Sequence, residues 1–77
     1  SRGLGDVYKR QHYWMLEGDY QKAMKLYLSF APDTEVEKGK TWAAMNIANF
    51  DKFIDNDVEA ERFLQLKEAL KEEGWPI

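Results

Sequence analysis

The sequence has 77 residues, 44% hydrophobic and 32% charged, with a net charge of −3 and no cysteine. That size holds one small domain, and the mix is that of a folded globular chain rather than a disordered one. It excludes a disulfide scaffold and thiolate chemistry, disfavours broad nucleic-acid binding, and contains no apolar run near the roughly 20 residues of a membrane helix.

Residues 1–11 read SRGLGDVYKRQ and hold three of the eleven basic side chains but no sustained helical stripe. The segment resembles translated sequencing adapter found at the ends of gene models from metagenomic assemblies. That resemblance implies an artefactual leader to be set aside, with residues 12–77 as a single helical domain carrying 8 basic and 13 acidic side chains. The other reading is a genuine helix start after Gly5, capped by Asp6. A core in so short a chain supplies about 3–5 kcal/mol net, so the expectation is a piece of a longer protein.

A first short helix is predicted over His12–Glu17, extended backwards through Val7, Tyr8 and Gln11 and stopped by Gly18. A second runs from Tyr20 to Ala31, capped by Asp19. Tyr20, Ala23, Met24, Tyr27, Leu28 and Ala31 recur at helical spacing along one face, and Pro32 ends it. Thr34 and Glu37 fit a capping box for a third helix starting near Glu35. The alternative is a break at Gly39 and a restart at Thr41. From Trp42 the pattern is firm: Ala43, Ile47, Phe50 and Ile54 share a face, with Trp42, Met45 and Phe53 beside it. Asp55, Asn56 and Asp57 supply turn chemistry and three possible N-caps for a fourth helix over Val58–Glu73. Its inner stripe is Ala60, Phe63, Leu64, Leu66 and Leu70, and Gly74-Trp75-Pro76 stops it. No segment alternates with period two for long enough to predict a strand. The expected fold is all-α, three to four helices in antiparallel hairpins, the first over 12–32 and the second over 34–74.

Gly18-Asp19-Tyr20-Gln21-Lys22-Ala23, followed by Tyr27, resembles the second half of a tetratricopeptide repeat. In that family a Gly-Asp-Tyr turn joins two helices, a small Ala lets the partner helix approach, and an aromatic one turn later fills the gap. Trp42 and Met45 resemble the start of a further repeat, with Asn46 where Gly is usual and Asn49 where Tyr is usual. Ala60 and Leu64 repeat the small-and-large pair. Ala23 to Ala60 is a period of 37, against 34 for the family. The resemblance implies that Ala23, Tyr27, Ala60 and Leu64 pack neighbouring helices. It also implies a concave groove carrying Trp42, Asn46 and Asn49, which receives a partner peptide or domain. Another small helical bundle is the competing reading.

Chemistry-bearing groups are sparse. Asp55, Asp57 and Glu59 alternate like calcium-loop ligands, but Ala60 and Leu66 stand where that loop needs Gly and Glu. His12 is the single histidine, and no nucleophile–base arrangement is visible. Asp51 and Asp55, four residues apart, read as solvated surface. Trp14, Trp42 and Trp75 read as core, with Tyr13 and Tyr20 available to a rim. Lys38, Lys40 and Lys52 give a modest basic edge near the third helix that reads first as a solvated face, with docking of an acidic peptide tail as the other reading. The expected function is therefore a non-enzymatic protein-interaction module, with no cofactor, metal, nucleic acid or membrane partner. A cytoplasmic location and a homodimer through the edge left by truncation are expected with it. The alternative is an accessory helical bundle of a larger regulatory or DNA-binding protein.

Overall fold

A computed structural model describes residues 12–77. The readings made for residues 1–11, the leader, the Asp6 cap and the backward extension of the first helix, lie outside the described residues. The chain divides into two units, one ending at Phe30 and the other running from Ala31 to Ile77. Among the described residues there are four helices and one small sheet. In chain order these are α1 (12–17), α2 (Tyr20–Tyr27), β1 (Glu35–Glu37), β2 (Lys40–Thr41), α3 (Trp42–Asp55) and α4 (Ala60–Glu72).

In the first unit α1 closes at Gly18, whose φ is +86°. The Asp19 N–H reaches back to the Trp14 carbonyl at 2.9 Å and the Gly18 N–H to Met15 at 3.2 Å. This pair of bonds is the Schellman closure, which satisfies carbonyls a helix end otherwise leaves open. Asp19 then caps α2, its Oδ1 accepting from the Lys22 N–H at 3.2 Å. Met15, Ala23 and Tyr27 are fully buried. His12 lies against Tyr27 and Trp14 against Lys22, so the two helices run antiparallel. α2 stops at Tyr27, short of the expected Ala31. The Ser29 backbone N–H and hydroxyl both donate to the Leu26 carbonyl, local bonding that competes with another helical turn. Leu28 and Ala31, expected on the inner face, are exposed.

The second unit adds a small two-stranded sheet to the mostly helical architecture expected. The structure takes the later of the two starts for α3, and Thr34–Glu37 forms no capping box. Glu35–Glu37 pairs antiparallel with Lys40–Thr41 across a turn at Lys38-Gly39. Gly39 has φ +78° and open space around its α-carbon, so backbone conformation rather than crowding favours glycine there. Glu37 opposite Lys40 sets opposite charges across the ladder. The fold-back has a use. The Thr34 carbonyl accepts from the Trp42 N–H at 2.7 Å and the Pro32 carbonyl from Ala43 at 3.1 Å. Thr41 Oγ1 accepts from Ala44 at 3.1 Å. The first three N–H groups of α3, orphans by helix geometry, are thus all paired.

α3 and α4 form an antiparallel pair: Phe53 stacks on Phe63, with ring centroids 4.6 Å apart and planes 2° from parallel, and further along Asp51 meets Lys67 at 2.8 Å. Trp42, Ala43 and Phe50 from α3, Phe63, Leu66 and Leu70 from α4, and Trp75 beyond it make the buried set. Leu64 is not part of it. Its side chain is 49% exposed, because the inner face of α4 follows positions 63, 66 and 70 and leaves 64 a third of a turn outside. α4 begins at Ala60, two residues later than expected, behind Glu59 in a left-handed conformation with no side-chain cap. None of Asp55, Asn56 and Asp57 caps it. At the far end the Trp75 and Gly74 N–H groups reach Leu70 and Lys71 in a second Schellman closure.

Candidate functional site

The three residues expected to share a groove lie on one side of α3, at i, i+4 and i+7, but they differ in burial. Trp42 and Asn46 are both fully buried. They lie one helical turn apart on the inner side of α3, in line with Phe50 four residues further on. Asn46 Nδ2 donates to the Trp42 carbonyl at 2.9 Å, while its Oδ1 is buried without a hydrogen-bond partner. Two of the three groove candidates are therefore interior. Asn49 is half-buried, and its Nδ2 donates to the Met45 carbonyl at 3.1 Å.

Asn49 sits instead on a lateral strip of α3. Lys40, Ala44, Met45, Ala48, Asn49 and Lys52 line an open depression of about 310 Å³. Positions 44, 48 and 52 follow one another at a single turn, with 45 and 49 alongside, so the strip runs parallel to the helix axis. The two alanines keep its floor low. The two lysines mark its ends, Lys40 on β2 just before α3 and Lys52 on α3 itself, and neither makes an ion pair among the described residues. Lys40 and Lys52 were visible in the sequence as a basic edge. The Ala44–Ala48 spacing of four was the missed signal that something small lies between them.

The packing residues stand as follows. Ala23 and Tyr27 are fully buried in the first unit, Ala60 is half-buried, and Leu64 faces outward. Ala23 is the fourth residue of α2, while Ala60 is the first of α4. Tyr27 Oη lies 3.5 Å from His12 Nδ1. Burial lowers the His12 pKa to about 4 and raises that of Tyr27, so the imidazole is neutral at pH 7. Trp14 carries Lys22 Nζ 4.4 Å from its ring centroid and Tyr13 edge-on at 5.1 Å, while Trp75 is only 3% exposed.

The acidic groups are placed as structural or surface groups. Asp51 is held by Lys67 and Asp55 is exposed. Asp57 and Glu59 occupy left-handed backbone positions in the α3–α4 turn. Among the described residues no group of three His, Cys, Asp or Glu side chains is arranged to hold a metal ion, and no helix is long and apolar enough to cross a membrane. No family model, no curated protein and no solved structure matches the chain.

Proposed function

We propose that this chain is a non-enzymatic interaction module that receives a partner protein or peptide along the outer strip of α3. The observation that carries the reading is the pairing of a low Ala44–Ala48 floor with lysines at both ends that make no ion pair among the described residues. Small side chains let a partner backbone approach. Lys40 and Lys52 supply charge that fixes register and speeds encounter. Asn49, with one amide proton already given to Met45, retains a proton and an oxygen for a peptide group. The docking strip lies beside the Trp42–Asn46 line and not on it. A tetratricopeptide-like array is the wider setting we favour, supported by the Gly18-Asp19-Tyr20 turn and the burial of Ala23 and Tyr27.

A second reading has its own support. The burial of Trp42 and Asn46 is what a closed accessory bundle of a larger regulatory or DNA-binding protein requires. Selecting a displayed library of random 16-residue peptides against the whole chain separates the two. Mapping the winners by amide chemical shifts is expected to locate them at residues 44–52. Absence of any enriched peptide, or shifts elsewhere only, defeats the docking reading and favours the bundle.

A further inference from the structure

The outer face of α4 carries the counterpart of the α3 strip. Glu61, Glu68 and Glu72 are exposed at positions i, i+7 and i+11, with Leu64, 49% exposed, between the first two. None of the three carboxylates makes an ion pair among the described residues. Glu61 and Glu72 are separated by about 16 Å of helical rise, and Lys40 and Lys52 stand at the two ends of the strip. Laid along the strip between the lysines, the stripe brings exposed Leu64 to the low Ala44–Ala48 floor. A knob thus meets a low floor while the charges at both ends meet their opposites.

The acidic stripe and the basic strip lie on the outer sides of the hairpin. Phe50, Phe63, Leu66 and Leu70 occupy the inner side. One copy therefore cannot satisfy its own charges. From this complementarity of charge and shape we infer that the occupant of the α3 strip is α4 of a second copy of this chain. The contact joins unlike surfaces, so it repeats head to tail as a stack unless the rotation closes a ring. It is distinct from the truncated edge through which the sequence suggested a homodimer. The inference rests on the docking strip proposed above and adds the identity of what docks.

Sedimentation of the whole chain from 10 µM to 1 mM tests it. The expected result is a weight-average mass that rises with concentration at 50 mM NaCl and falls back toward the monomer at 500 mM. Lys40→Glu with Lys52→Glu is expected to abolish association, and so is Glu61→Lys with Glu72→Lys. All four side chains are exposed, and circular dichroism checks that both variants keep the wild-type fold; the Gln versions at the same positions replace any that do not. Mixed in equal amounts, the two reversed chains are expected to associate again, because each then offers the other matching strips. A wild-type chain that stays monomeric to 1 mM, association that ignores the reversals, or a mixture that fails to restore it overturns the inference. A monomeric chain that still binds selected peptides on α3 overturns self-association alone, whereas one that does neither overturns the docking reading too.

Discussion

Asp57 closes α3 with the same two backbone hydrogen bonds by which Gly74 closes α4. The residue after Asp57 reaches back to Phe53 at 2.9 Å and Asp57 itself to Ile54 at 3.1 Å, as Trp75 reaches Leu70 and Gly74 reaches Lys71. Both stand at positive φ, +56° for Asp57 and +102° for Gly74. Glycine enters that conformation without steric cost, while a residue with a β-carbon is strained there. Asp57 tolerates it better than most, but its carboxylate gains no hydrogen bond or ion pair among the described residues.

Asp57→Gly is therefore expected to stabilise the chain by about 0.5–1 kcal/mol, after allowing for the larger entropy glycine brings to the unfolded state. In a domain of this size that raises Tm by roughly 2–8 °C. Asp57→Ala is expected to lower it. Thermal melts followed at 222 nm decide the matter, and a glycine variant that melts no higher than wild type would contradict the strain argument.

The same position explains why the α3–α4 turn was illegible beforehand. Asp and Asn ahead of a helix read as N-caps, and nothing in Asp55-Asn56-Asp57 announces that Asp57 takes the C-terminal role of a glycine. Asp19 and Gly74 were legible because each does what its type does most often. The β-hairpin was hidden because Glu-Val-Glu is too short to display period two, and Thr34 with Glu37 imitates a capping box. Asn46 was misplaced by its polarity, although counting four from Trp42 and four back from Phe50 sets it on the buried line. Leu64 is the opposite case: its apolar type points inward, while the phase of Phe63, Leu66 and Leu70 turns it outward. Of the candidate site, the two lysines were legible and the face between them was not.

Asn46 carries a second prediction. Its Oδ1 is buried and unpaired, a state that costs about 1–3 kcal/mol, while its amide bond to Trp42 returns less than that. Asn46→Ala removes the orphan acceptor and improves helix propensity, at the expense of a small cavity. The balance is expected within about 1 kcal/mol of wild type, a mild outcome for a fully buried position. Asn46→Asp is expected to cost more than about 2 kcal/mol at pH 7, because it buries a charge. Urea midpoints measure both; a severe loss in the alanine variant would mean the oxygen has a partner after all.

His12 predicts how stability responds to acid. Its pKa falls from the ordinary 6.5 to about 4 in the folded chain because burial disfavours the imidazolium. The unfolded state therefore binds the proton more readily. The contribution of the neutral ring is complete above about pH 6.5 and is lost as pH drops from there through 4, by on the order of 3 kcal/mol. Denaturant titrations at pH 7.5 and 4.5 are expected to differ more for wild type than for His12→Phe, which has no proton to take up. Equal losses in the two proteins would show that the carboxylates alone govern the acid limb.

Phe63 tests the joint between α3 and α4. It stacks on Phe53 and lies 5.7 Å from Phe50, with the planes tilted 33°, so one side chain on α4 holds two on α3. Truncating a buried Phe to Ala costs about 3–5 kcal/mol, and a core of this size supplies about that much in total. Phe63→Ala is expected to leave the chain largely unfolded at 25 °C, with the far-ultraviolet helical signal reduced. Phe63→Leu keeps most of the volume and loses only the ring contacts, about 0.5–1.5 kcal/mol each beyond area, so it is expected to fold with a lowered Tm. Phe53→Ala, at a half-buried position, should fall between them. If Phe53→Ala proves the more damaging, the packing of α3 against α4 does not centre on Phe63.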